Sequence, residues 1–289
     1  MAVSIWRCIG MSLNKIHAEI IGEGKPVLFL PSADFTGNQG QQLADQLEEG
    51  YAVHLLDLPG LGQSDGIEKS ISVKKLAEWV KSYADAQRLE RLSIIGHSLG
   101  GLAAISFALH NPEKIDKLIL LDAGHKALGT FPVSEFGVLG LVLPFISLVH
   151  RFLPAPTNGR LAKLFRSPND TRELLHRFCE THQTDPNQYI KQMFDNMPTI
   201  SDAAINLYML YYRTNLPKLT HELKVSTLLI WADFAGIDEK EAIRSQKAAE
   251  AKHNEHVLLK KVSGTHFVQF REDTHQYIAA YLKRNASYA

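Results

Sequence analysis

Residues 92–101 read Leu-Ser-Ile-Ile-Gly-His-Ser-Leu-Gly-Gly, an apolar run that stops on Gly96-His97-Ser98-Leu99-Gly100-Gly101. The run suits a buried strand, and residues 102–110 continue in helical composition. A serine therefore sits where a strand must turn sharply into a helix. Such a turn holds the serine backbone in a strained conformation, and a side chain at Gly96 or Gly100 would collide across it. This G-x-S-x-G arrangement makes Ser98 a candidate nucleophile. A plain turn serine is the bland alternative, and the flanking glycines argue against it.

Similar apolar runs recur along the chain at 16–21, 26–30, 52–56, 118–121, 227–231 and 256–260. Short unbroken runs suit parallel strands covered on both faces. Helical patterns lie between or beside them at 39–47, 73–87, 102–110, 239–251 and 274–284. In 73–87, Leu76, Trp79, Val80 and Tyr83 recur at helical spacing and read as core. The alternation predicts an α/β fold, a doubly wound and mainly parallel sheet.

One stretch breaks the rhythm. Residues 125–223 contain several prolines, helical patterns and no strand signal, so they read as a mostly helical insertion in a core made of 1–124 and 224–289. Phe131, Phe136, Leu139, Leu141, Val142, Phe145, Phe152 and Phe165 give it more apolar surface than a solvated loop carries. The expectation is that these side chains pack over the sheet edge near Ser98. Residues 136–149 are the most membrane-like, but Pro144 interrupts them and they fall short of the roughly 20 residues of a spanning helix. A buried or substrate-facing helix is favoured over contact with a membrane surface.

Composition narrows the partners. Lysine plus arginine equals aspartate plus glutamate at 31 each, so no overall field favours nucleic acid or anionic membranes. Only Cys8 and Cys179 are present, which argues against a disulfide framework and suits a reducing, cytoplasmic compartment. The N-terminus lacks the long apolar segment of a secretory signal. Met11 is a plausible alternative start, with residues 1–10 expected to be a poorly structured extension.

Three further segments stand in chain order around Ser98. Residues 27–33, Val-Leu-Phe-Leu-Pro-Ser-Ala, end a strand. Residues 54–65 run from a strand into Asp57-Leu58-Pro59-Gly60-Leu61-Gly62-Gln63-Ser64-Asp65. Residues 261–267, Lys-Val-Ser-Gly-Thr-His-Phe, place His266 just after the last strand. With Gly96–Gly101 they closely resemble the α/β-hydrolase superfamily over nearly the whole chain. The resemblance implies a helical cap inserted after the sixth strand, with Ser98 as nucleophile and His266 as base. It also implies an oxyanion hole from the backbone N–H groups of Leu99 and Ala33. The family commonly has His-Gly where this chain has Pro31-Ser32, so Ala33 stands on weaker ground than Leu99. His97, Asp57, Ser64 and Asp65 read as packing or loop-anchoring groups. His176, Cys179 and His182 read as a solvated helix rather than a metal cluster.

The acid of the triad is the open position. The family's usual site follows the penultimate strand, where residues 231–238 read Trp-Ala-Asp-Phe-Ala-Gly-Ile-Asp and the expected aspartate falls on Ala235. Asp233 and Asp238 flank it out of register. Some relatives place the acid one strand earlier, which here is Asp122. Asp122 is favoured, Asp233 comes second, and a missing acid is the third alternative. The expected activity is a cofactor-free, metal-free serine hydrolase acting through an acyl-enzyme on a small-molecule ester or related acyl compound with an apolar portion. Carbon–carbon bond hydrolysis, cofactor-free haloperoxidase chemistry and a non-catalytic ligand-binding or signalling role remain as alternatives, the last because of Ala235.

Overall fold

The structure, a computed structural model, describes residues 2–9, 12–47, 49–67, 71–132, 137–165, 170–198, 200–251 and 254–284. Among these, one sheet is built from β1 (Ala2–Ile9), β2 (Ser12–Ile21), β3 (Glu23–Leu30), β4 (Glu49–Leu56), β5 (Leu92–His97), β6 (Ile115–Leu121), β7 (Thr227–Ala232) and β8 (Val257–Val262). The strand order is β1-β2-β4-β3-β5-β6-β7-β8. β1 and β2 pair antiparallel, as do β2 and β4, and every other neighbouring pair is parallel.

Within residues 1–10, expected to be a loose extension, the described residues 2–9 form a strand. The backbone of β1 pairs along its length with β2, from Ala2 opposite Glu19 to Ile9 opposite Ser12. A hairpin partner next in sequence satisfies the peptide groups of β1 without any core of its own.

Helices cover both faces: α1 (Gln41–Leu47), α2 (Val73–Ala86), α3 (Leu99–His110), α4 (Leu139–Phe152), α5 (Pro154–Phe165), α6 (Thr171–His182), α7 (Gln188–Asp195), α8 (Ala204–Arg213), α9 (Leu216–His221), α10 (Glu239–Glu250) and α11 (Glu272–Lys283). Because successive strand residues point to opposite faces, Leu28, Leu30, Ile94, Leu118 and Leu120 meet α2 and α3. Their neighbours Val27, Phe29, Ile95, Ile119 and Leu121 meet α1 and α11. Leu76, Trp79, Val80 and Tyr83 of α2 are fully buried in the first of these layers, and burying each Leu- or Val-sized side chain contributes about 1.5–3 kcal/mol.

Helices α4 to α9 all fall between β6 and β7, and no strand occurs there among the described residues. The apolar surface of α4 does not pack as expected. Leu141, Val142, Phe145, Leu148, Val149 and Phe152 are exposed, and so is Phe131 in the loop before it. The face that α4 turns inward carries Gly140, Leu143, Ser147 and His150. Those residues recur every three or four positions, and two of the four are polar. The reason is a set of polar partners below: Arg213 donates to Ser147 Oγ at 2.7 Å and to His150 Nδ1 at 2.9 Å. His150 Nε2 in turn meets Asn158 at 2.9 Å and Asn206 at 3.1 Å. No helix among the described residues is long and apolar enough to cross a membrane.

Candidate active site

The carboxyl ends of β5, β6 and β8 converge, as ligand sites do in open α/β sheets. Ser98 follows β5 with φ 51° and ψ −113°, a conformation outside the ordinary right-handed and extended regions. The turn is held on both sides. Ser98 N–H donates to Leu121 O at 3.2 Å, and Gly101 N–H donates to Ser98 O at 2.9 Å. A Cβ on Gly96 would lie 2.6 Å from Gly100 O, and one on Gly100 would overlap the Leu30 carbonyl. The steric argument made from sequence therefore has specific atoms behind it.

Asp122 immediately follows β6, also at positive φ (41°), with its N–H donating to Ile230 O at 2.7 Å. Its side chain is fully buried. His266 Nδ1 lies 2.6 Å from Asp122 Oδ2, and Ala232 N–H donates to Asp122 Oδ1 at 3.2 Å. Of the carboxylates left open by the sequence, this is the one His266 meets. Asp233 instead accepts from Ser263 Oγ, Ala235 N–H and Gly264 N–H, so it anchors the loop that carries His266. Asp238 caps α10 by accepting from Glu241 N–H at 3.0 Å.

Sequence reasoning missed Lys126 and His125 behind this carboxylate. Lys126 Nζ lies 3.4 Å from Asp122 Oδ2, 2.8 Å from Glu241 and 2.9 Å from Ser245 Oγ. His125 Nε2 lies 3.5 Å from Asp122 Oδ1. Burial alone would raise the Asp122 carboxyl. Lys126, the hydrogen bond from His266 and the charge of His125 outweigh it and hold the group well below the usual carboxylate range. The only sequence signal was adjacency, since Lys126 stands four residues after Asp122.

Ser98, Leu99, Ala33, Asp122 and His266 line one cavity of about 570 Å³. The Pro31-Ser32 departure is accommodated by Gln39. Its Oε1 accepts from Ser32 N–H at 2.8 Å, and its Nε2 donates to Ser32 Oγ at 2.8 Å, which fixes the loop that carries Ala33. His97 is a support, as read: Nε2 meets His266 O at 2.8 Å and Nδ1 meets Gln39 at 3.2 Å. Asp57 accepts from Gly37 and Gln63 N–H groups, and Asp65 and Ser64 accept from Lys15 and His17 N–H groups. These three hold the loop to its neighbours.

Two corrections concern the helices over the cavity. His182 is not on a solvated face: it lines the cavity, with Nδ1 2.8 Å from Thr265 Oγ1 and its ring 4.7 Å from that of Phe267. The apolar lining comes from Phe35, Leu128, Tyr211, Phe234 and Phe267, not from the phenylalanines and leucines of α4. Asp34 is the other surprise. Its carboxylate opens onto the cavity but sits deep among protein atoms, and Tyr208 OH donates to it at 3.0 Å. Enclosure raises its carboxyl, and the Tyr208 hydrogen bond only partly offsets that.

Two fully enclosed histidines tie stability to pH. Burial pushes His97 down to about 3 and His54 to about 4, from an ordinary 6.5. Below about pH 6.5 the unfolded chain therefore takes up protons that the folded one refuses. Stability should fall by about 1.4 kcal/mol per pH unit for each histidine as pH drops from about 6.5 to about 4. Urea unfolding should show a lower midpoint at about pH 5 than at about pH 7. An unchanged midpoint would contradict the burial of both rings in neutral form.

Comparison with known proteins bears on the family and the fold. Residues 26–273 match the family model of the alpha/beta hydrolase fold. The chain is similar to a 2-hydroxy-6-oxononadienedioate/2-hydroxy-6-oxononatrienedioate hydrolase of Klebsiella pneumoniae subsp. pneumoniae, 31% identical over 232 residues that cover 75% of this chain and 73% of that protein. Among solved structures it resembles a thermophilic esterase of Thermogutta terrifontis, with TM-score 0.70, 17% identity and 98% of both chains covered. It also resembles an esterase of Exiguobacterium antarcticum, with TM-score 0.69, 20% identity, and 94% of this chain and 97% of that one covered.

Proposed function

The chain belongs to the alpha/beta hydrolase fold family, and on that basis we propose that it is a serine hydrolase of uncharged esters, with α4 to α9 as a cap over the site. Ser98, His266 and Asp122 form the triad in this reading. The carrying observation is the 2.6 Å contact between His266 Nδ1 and Asp122 Oδ2, made beside the strained Ser98 in one cavity. With Nδ1–H donating to Asp122, Nε2 is left unprotonated and able to accept the Ser98 proton. Ser98 Oγ attacks the acyl carbonyl, and the N–H groups of Leu99 and Ala33 receive the developing oxyanion. His266 then passes the proton to the leaving alcohol. A water, deprotonated by the same imidazole, releases the acid and restores Ser98.

The similarity to a dioate hydrolase favours a second reading, carbon–carbon bond cleavage of a dicarboxylate. The charges of the cavity weigh against it. Lys126 and Arg244 are its wall cations, and both are paired with Glu241. Asp34, Asp122, Asp238 and Glu241 also line it, so a dianion would meet more carboxylates than cations. Asp34 has the neutral Tyr208 hydroxyl as its partner.

Steady-state assays on nitrophenyl esters of increasing acyl length and on a vinylogous dicarboxylate substrate separate the readings. Neutral esters should win in kcat/KM by about tenfold or more, equivalent to about 1.4 kcal/mol. Asp34→Asn should narrow that gap. Preference for the dicarboxylate would overturn the ester assignment and leave the triad standing.

A further inference from the structure

Helix α4 is amphipathic with its faces reversed. Ser147 and His150 are buried and bonded to Arg213, Asn158 and Asn206, while Leu141, Val142, Phe145, Leu148, Val149 and Phe152 face outward. Val138 and Leu153 extend the exposed row at either end. Rotating the helix to bury its apolar side would strip the Arg213 guanidinium and the His150 ring of their partners. The exposed face is thus fixed by the polar cluster beneath it. A contiguous apolar surface of this kind marks a contact with something other than water.

The charge around it selects the partner. Residues 136–169 contain Arg151, Arg160, Lys163 and Arg166 and not one aspartate or glutamate, in a chain whose net charge is zero. Arg151, Arg160 and Lys163 are exposed. An apolar row on a segment whose own charged side chains are all cationic, with Glu135, Asp170 and Asp202 only at its margins, matches a lipid surface bearing anionic headgroups, where the row enters the acyl boundary and the cations meet phosphate. A second copy of the chain fits less well, because a two-fold contact would press two acid-free, basic segments together. At 14 residues with Pro144 inside, α4 is too short to span a bilayer and is suited to lie along its surface.

We propose that α4 is a membrane-docking face that seats the protein on anionic lipid. The sequence alone favours a buried helix here; the exposure of the row and the lack of acids within residues 136–169 reverse that weighing. Ile205 and Met209 of α8 pack under α4, and Tyr208 and Tyr211 of the same helix line the cavity, so one helix separates the docked face from the site. The proposal does not rest on the hydrolase reading.

The test is flotation of the full chain with phosphatidylcholine vesicles, with and without phosphatidylglycerol. The protein should float with the anionic vesicles and about tenfold less with phosphatidylcholine alone. Phe145→Glu combined with Phe152→Glu should weaken flotation by about tenfold or more at unchanged Tm, since both side chains are solvent-facing. Phe145→Trp should show a blue-shifted emission on adding anionic vesicles. Protein that stays behind with anionic vesicles, equal flotation of the double variant, or unshifted emission from Phe145→Trp would each overturn the proposal. So would equal binding to phosphatidylcholine alone. Light scattering that finds a dimer dispersed by the double variant would assign the face to a second copy instead, again overturning it.

Discussion

Ser98→Ala should abolish labelling by a fluorophosphonate and lower ester turnover by on the order of 10⁶, the scale reached when a triad serine is removed. The variant should remain folded. Alanine keeps the Cβ that φ 51° and ψ −113° already accommodate, and the backbone bonds from Ser98 N–H to Leu121 O and from Gly101 N–H to Ser98 O are untouched. Thermal unfolding should accordingly move little while activity vanishes. Residual labelling in the alanine variant would place the nucleophile elsewhere. Wild-type protein that resists the probe while hydrolysing esters would contradict a cavity-lining, activated serine.

That prediction was available from ten residues of sequence, and the reason is local. Gly96 and Gly100 are glycines because other backbone passes within a Cβ radius of each, so steric necessity is written directly into the residue types. The central strands were legible on similar grounds: short unbroken apolar runs such as residues 118–121 suit strands covered on both faces. β1 was not legible, because its pairing with β2 is made by backbone groups that any sequence supplies.

The surroundings of Asp122 were also hidden. Lys126 reaches Asp122, Glu241 and Ser245, and the last two are more than a hundred residues away in the chain. No local pattern encodes such a meeting. The orientation of α4 failed for a related reason. Hydrophobicity counts correctly found an apolar helix, but the side it buries was decided by Arg213, Asn158 and Asn206 arriving from other helices. Apolar content predicts burial only when no buried polar partner competes for the same face.

The triad acid carries the second large effect. Asp122→Asn should lower turnover by about 10⁴, the loss seen when a triad aspartate becomes its amide. An aspartate at this point accepts from His266 Nδ1 at 2.6 Å and so keeps Nε2 open toward the serine side. An asparagine has two heavy atoms to place there. Its amide oxygen is already drawn toward Ala232 N–H, which donates to Asp122 Oδ1 at 3.2 Å. The amide nitrogen then faces Nδ1, which must accept, and the imidazole proton moves to Nε2, where it can no longer take the Ser98 proton. The substitution also removes the negative charge that Lys126 and His125 balance, so the imidazolium formed during attack loses its counter-ion. Asp233→Asn should cost far less, because that side chain only braces the loop through Ser263, Ala235 and Gly264. Measured kcat for the two variants decides between them, and the low-field imidazole proton resonance of His266 should disappear in Asp122→Asn alone. If Asp233→Asn proved the more damaging in kcat, the acid would have to be sought on the β7 loop after all, and the 2.6 Å contact would be a structural pairing rather than part of the chemistry.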